Sequence, residues 1–143
     1  MIEKENTVSS DLIYTGKTVS LRVDTVEVPN KGYQKREIVE HNGVVAVIAI
    51  TEDNKIILVK QYRKSIEDVV LEIPGGKLEL NENPRECAIR EFRKKTGYDA
   101  ESFKLIHKFY PSVGFSNQMI FIYLAKKLEK LEDKQEEQQI EIK

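Results

Sequence analysis

The stretch from Leu71 to Tyr98, LEIPGGKLELNENPRECAIREFRKKTGY, constrains the fold more than any other. An apolar segment runs into Pro74-Gly75-Gly76, which predicts a strand end and a tight loop. Asn83 suits a helix N-cap, Pro84 the first helical position, and Glu86 the third position of a capping pattern. Gly97 stands where a left-handed C-terminal cap belongs. The spacing predicts a helix over about residues 84–96. A strand, a glycine loop and a helix with spaced carboxylates can set a backbone carbonyl of Gly75 or Gly76 beside acidic side chains. Hard cations such as magnesium require that arrangement. Turn formation alone also explains the glycines.

Within this stretch Gly76, Glu82, Arg90, Glu91, Phe92, Gly97 and Tyr98 keep the spacing G-x5-E-x7-R-E-U-x-E-E-x-G-U, where U is bulky and apolar. The pattern resembles the box of the Nudix hydrolase family. Lys94 and Lys95 occupy the positions of the E-E pair. The resemblance implies a Nudix-type mixed-sheet α/β/α sandwich, with Glu91, Arg90 and Glu82 as catalytic residues. It implies a metal site at Gly75 and Glu91, with Lys94 and Lys95 in the usual ligand positions. Magnesium is the expected ion, weakened or lost here, with manganese as an alternative.

Residues three and four apart share a helix face, so Glu91 lies with Lys94 and Lys95. Each Glu-to-Lys difference shifts the local charge by two units, about +4 in all. One unit pair at 4 Å is worth roughly 4 kcal/mol at an effective dielectric near 20. Repulsion of that order can abolish binding of a weakly held magnesium ion. The same residues also make an ordinary helix surface. Glu91 and Lys95 form a favourable pair at i+4, and lysines suit a helix C-terminus.

Length and composition bound the rest. With 143 residues, 40% hydrophobic and 33% charged, one soluble globular domain over 1–143 is expected. The net charge of -1 argues against a general nucleic-acid or membrane-surface binder. No apolar run reaches spanning length and no signal-peptide core opens the chain. Cys87 is the single cysteine, which excludes an internal disulfide and fits a reducing cytoplasm. It reads as a reactive thiol or, more simply, as a small buried residue. His41 and His107 have no metal-ligand spacing.

Residues 1–16 are polar without a clear period, and a mobile start is expected. Val19, Leu21 and Val23 alternate as a half-buried strand, with a bulge expected as the apolar positions shift to Val26 and Val28. Residues 29–32 turn the chain into a second strand at Tyr33 to Glu40. This region resembles the N-terminal strands through which ADP-ribose pyrophosphatases pair. A homodimer built on residues 1–40 is therefore expected, against a simple edge hairpin. Val44 to Ile50, VVAVIAI, predicts a strand buried on both faces, joined to Lys55–Tyr62 as a central hairpin. Strands follow at Val69–Ile73, Phe103–Tyr110 and Met119–Ala125. Residues 126–139 read as a solvated loop or frayed helix, before an alternating Ile140-Glu141-Ile142. The resemblance implies a C-terminal helix beyond that point, for which the chain has no residues. No internal repeat is present.

Arg63 and Glu72 fall where ADP-ribose pyrophosphatase-like enzymes contact substrate. PSVGFSN, residues 111–117, resembles their S-P-G-type loop, which adds Gly114 and Ser116 as substrate contacts. Val113 replaces the proline and Gln118 stands at a usually acidic position. Glu136 aligns with a late catalytic glutamate and Gln138 with a further acidic ligand. The resemblance thus implies a magnesium-dependent hydrolase that cuts the diphosphate of ADP-ribose or a related nucleoside diphosphate derivative, impaired in this chain. A non-catalytic nucleotide-binding protein and a truncated relic remain as alternatives.

Overall fold

The computed structural model describes residues 2–132 and 139–143. It comprises two compact units, one of residues 1–42 and 110–119, the other of residues 43–109 and 120–143.

The first unit is an antiparallel sheet of β1 (Asn6–Thr15), β2 (Ser20–Val28) and β3 (Gly32–Glu40), in that spatial order. β2 and β3 pair without interruption from Ser20↔Glu40 to Val28↔Gly32. Asn30 and Gly32 turn the chain with φ of 62° and 73°. The irregularities expected within β2 occur instead in β1, at Thr7/Ser9 and Leu12/Tyr14. The polar start is thus a ten-residue strand whose every residue is exposed. With neither face buried, no hydrophobic period marks it, and backbone pairing with β2 defines it. Inside the sheet, buried Asp24 accepts from Ser10 Oγ at 2.7 Å and from Arg22 Nε at 3.1 Å.

The second unit holds β4 (Val44–Ala49), β5 (Ile57–Arg63), β6 (Asp68–Glu72), β7 (Gly75–Lys77), α1 (Pro84–Thr96), β8 (Tyr98–Phe109), β9 (Ile120–Lys130) and β10 (Gln139–Ile142). These form a four-stranded sheet ordered β7-β4-β9-β8 and a three-stranded sheet ordered β10-β5-β6. Only β4 and β9 run parallel among these pairs, so the fold is the expected mixed α/β type, with α1 the one helix among the described residues.

The helix is bounded as its sequence predicts. Asn83 Oδ1 accepts from the backbone N–H groups of Arg85 and Glu86 at 2.9 and 3.3 Å. Gly97, at φ 70°, donates to Arg93 O at 2.9 Å. Cys87, Ala88 and Phe92 pack with Val45, Val47, Ala49, Ile57 and Phe103 in the core. Phe92 meets Phe103 edge to face, with ring centroids 5.7 Å apart.

Three expectations change. Val45, Val47 and Ala49 are fully buried, but Val44, Ala46 and Ile48 are only half-buried. β4 therefore buries one face strongly rather than both. β4 and β5 do not form a hairpin: they share one bridge, Ile50↔Ile56, and then diverge into separate sheets. Both edges of β4 are taken by β7 and β9. Residues 126–130 extend β9, paired against residues 98–102. A strand ladder satisfies their backbone despite the charged composition, and Leu128 packs on the core. Residues 133–138 lie outside the described part, and Ile140–Ile142 pairs with β5.

Candidate active site at the glycine loop and helix

Two close approaches shape the loop. A β-carbon on Gly75 would lie 2.3 Å from the backbone oxygen of Val45, because β7 runs tight against β4. A β-carbon on Gly76 would lie 2.4 Å from Oε2 of Glu91. Glycine at both positions lets the loop sit on β4 on one side and on the helix carboxylate on the other. Glu91, 9% exposed, is thereby held beneath the loop.

Arg90 braces this arrangement. Its Nη1 pairs with Glu91 Oε1, and its Nη2 donates to both oxygens of Glu82 at 2.8 and 3.0 Å. Glu82 Oε2 also accepts from the backbone N–H of Glu79 at 2.9 Å. That backbone bond, and then Arg90, holds the Glu82 carboxyl below the ordinary glutamate range. Glu82 in turn raises the guanidinium of Arg90. Cys87 lies buried beside them, and its burial pushes the thiol up to about 12. It is an inert core residue, not a nucleophile.

A second set of charges comes from the three-stranded sheet. The register pairs Val59 with Glu72, and side chains alternate along a strand. Gln61, Arg63 and Glu72 therefore share the sheet face that buries Ile57 and Val59. Arg63 donates to Glu72 Oε2 through Nε at 2.8 Å, its Nη2 lies 2.7 Å from the same oxygen in an ion pair, and Gln61 Nε2 donates to it at 3.4 Å. Lys95 joins the two sets. Half-buried, it has its pKa lowered, chiefly by burial; Glu91 and Glu72 oppose that shift, while Arg63 and Lys94 add to it. Lys94 is exposed instead and lines, with Glu86, Ile89 and Arg90, a hollow of about 720 Å³.

The structure thus brings Gly75, Gly76, Glu82, Arg90 and Glu91 together, with Arg63 and Glu72 within electrostatic reach of Lys95. Gly114 and Ser116 belong to the other unit. There Phe115 and Ser116 donate to Ser112 O at 3.2 and 2.9 Å, and Phe115 O accepts from Val39 N at 2.7 Å, which fixes the loop onto β3. Glu136 and Gln138 lie outside the described residues. Gln61 and Glu79 are contributors that the motif does not contain. The sequence signal for Gln61 is its position two residues before Arg63, on the same strand face.

The described residues of this site offer few free oxygens to a divalent metal. Such ions take six or more oxygen ligands. Here one Glu91 oxygen is engaged by Arg90, and two lysines stand in the other ligand positions. Among the described residues no group of three or more His, Cys, Asp or Glu could hold an ion.

Comparison with known proteins places the chain among its relatives. It is 48% identical over 130 residues to a methanol dehydrogenase activator of Bacillus methanolicus, covering 91% of this chain and 70% of that protein. It is 46% identical over 133 residues to an ADP-ribose pyrophosphatase of Bacillus subtilis, covering 93% and 72%. A solved structure described as an ADP compounds hydrolase superposes with a TM-score of 0.85 over 99% of this chain and 79% of that one; at 17% identity this shows the fold alone. The NUDIX domain family model matches residues 40–143, and the chain belongs to that family.

Proposed function

We propose that this chain is a hydrolase of the diphosphate link in ADP-ribose or a related nucleoside diphosphate derivative, with depressed turnover. The observation that carries the reading is the Gly76–Glu91 contact together with the Arg90–Glu82 brace. This is the frame that an acyl-free phosphoryl hydrolysis needs: a carboxylate held in one place and positive charge aimed at phosphate oxygens. Hydrolysis adds water across the P–O–P link, so one group must accept a proton while others stabilise the developing charge. Glu91 serves the first role, and Arg63 the second. The relatives named ADP-ribose pyrophosphatase supply the substrate class. The depressed turnover follows from Lys94 and Lys95, which stand where the family places further carboxylates.

The test is release of AMP and ribose 5-phosphate from ADP-ribose in magnesium, with and without Lys94→Glu/Lys95→Glu. The unmodified chain is expected to turn over far below about 1 per second, and the double variant faster by orders of magnitude. Ordinary turnover by the unmodified chain overturns the impairment. No turnover by the double variant overturns the hydrolase assignment.

The same reading includes a homodimer formed through the first sheet and a cytoplasmic setting. Support for the dimer is the exposed apolar side chains of β1, Val8, Leu12, Ile13 and Tyr14. No helix among the described residues is long and apolar enough to cross a membrane.

A further inference from the structure

The charge around Glu91 is rearranged rather than missing. Lys95 lies four residues after Glu91, on the same helix face, and Glu72 of β6 is within electrostatic reach of it. Glu72 is already fixed by Arg63 at 2.7 Å. One ammonium therefore lies within electrostatic reach of a helix carboxylate, a sheet carboxylate and a guanidinium. Counting Glu72, Glu91, Arg63, Lys94 and Lys95, the cluster carries one net positive charge; with glutamates in place of both lysines it would carry three negative ones. A cluster of net negative charge needs a mobile cation before it can receive a diphosphate. A net positive one does not. Arg63 offers a planar fork for two oxygens of one phosphate, and Lys95 a compact charge for the other. Half-burial of Lys95 lowers the local dielectric and strengthens its attraction for an anion.

We propose that Lys95 acts as a resident cation, so that this site binds the diphosphate of a nucleoside diphosphate derivative through Lys95 and Arg63 without any divalent metal. The inference rests on the substrate class proposed above and goes beyond it by removing the metal from the binding step. Lys94, exposed on the side of the outer hollow, contributes less. The competing role for Lys95 is a helix ion pair with Glu91 alone. That role predicts a change in stability but none in ligand affinity.

The experiment is calorimetric titration of the full chain with ADP-ribose, once in chelator and once in excess magnesium. Unmodified protein, Lys95→Gln and Lys95→Arg are compared, each with its melting temperature. The expected result is a dissociation constant in chelator within about twofold of that in magnesium. Lys95→Gln should weaken it by about tenfold or more in both, and Lys95→Arg, which keeps the charge, should restore most of it. Binding that requires magnesium overturns the proposal and leaves the substrate class standing. Absence of ADP-ribose binding in both conditions overturns the two together. An unchanged dissociation constant in a folded Lys95→Gln makes Lys95 structural and also overturns it. Should Lys95→Gln fail to fold, Arg63→Gln must weaken binding in chelator by a similar factor, and the proposal falls if it does not.

Discussion

Gly76 and Glu91 are so close that a β-carbon on the glycine would lie 2.4 Å from the carboxylate oxygen Oε2. The neighbouring Gly75 meets backbone instead, the carbonyl oxygen of Val45 at 2.3 Å. The two glycines therefore differ in what an added methyl would disturb. Gly75→Ala is expected to destabilise by about 1–3 kcal/mol, since β4 cannot move without disturbing the core. Gly76→Ala should cost less stability, because the Glu91 side chain can rotate, but should abolish hydrolysis. Urea unfolding and an ADP-ribose assay on both variants distinguish these outcomes.

Glu82 links pH to stability. Its folded pKa lies below the ordinary 4.5, through the Glu79 backbone bond and then Arg90. The stabilisation is therefore complete above 4.5 and is lost as pH falls through the lowered folded value. Glu82→Gln should flatten the acid limb of a melting-temperature profile. A double-mutant cycle with Arg90→Ala should return a coupling of about 0.5–1 kcal/mol, modest because Arg90 is partly exposed.

Lys95 carries a shift with the opposite practical consequence. Its folded pKa is lowered from 10.5, first by burial. The linked stability is present above 10.5 and is lost as pH falls through the folded value, so the charged form costs stability at neutral pH. Lys95→Met is expected to raise the melting temperature by a few degrees at neutral pH, with a smaller gain in alkali. A fall in melting temperature would mean that the attraction of Glu91 and Glu72 outweighs desolvation.

Cys87 is fully buried and its thiol is pushed up to about 12. Native protein should react with a thiol reagent at pH 8 only at the rate of opening, and at once in denaturant. Fast stoichiometric labelling of the native chain would contradict the packing around the helix.

The proposed dimer has a direct test in β1. Leu12, 64% exposed, lies on a strand with no buried residue. Light scattering at micromolar concentration should give twice the chain mass for the unmodified protein and the monomer mass for Leu12→Asp. A monomer before substitution removes the dimer altogether.

What was legible in the sequence is what local chemistry dictates. Asn83, Pro84 and Gly97 bounded the helix because capping depends on residues within one turn. Regular spacing also marked the box, since helix geometry alone puts Glu91 and Lys95 on one face. Tertiary structure decided the rest. The strand β1 carried no period because neither of its faces is buried, and residues 126–130 became strand only by pairing with β8. β4 and β5 parted because β7 and β9 occupy the edges of β4. The electrostatic reach of Glu72 to Lys95 is the clearest case: those residues stand 23 positions apart, and only the tertiary fold brings their charges within range of one another. Sequence determined which charges this protein has; strand pairing, which is non-local, determined which of them face one another.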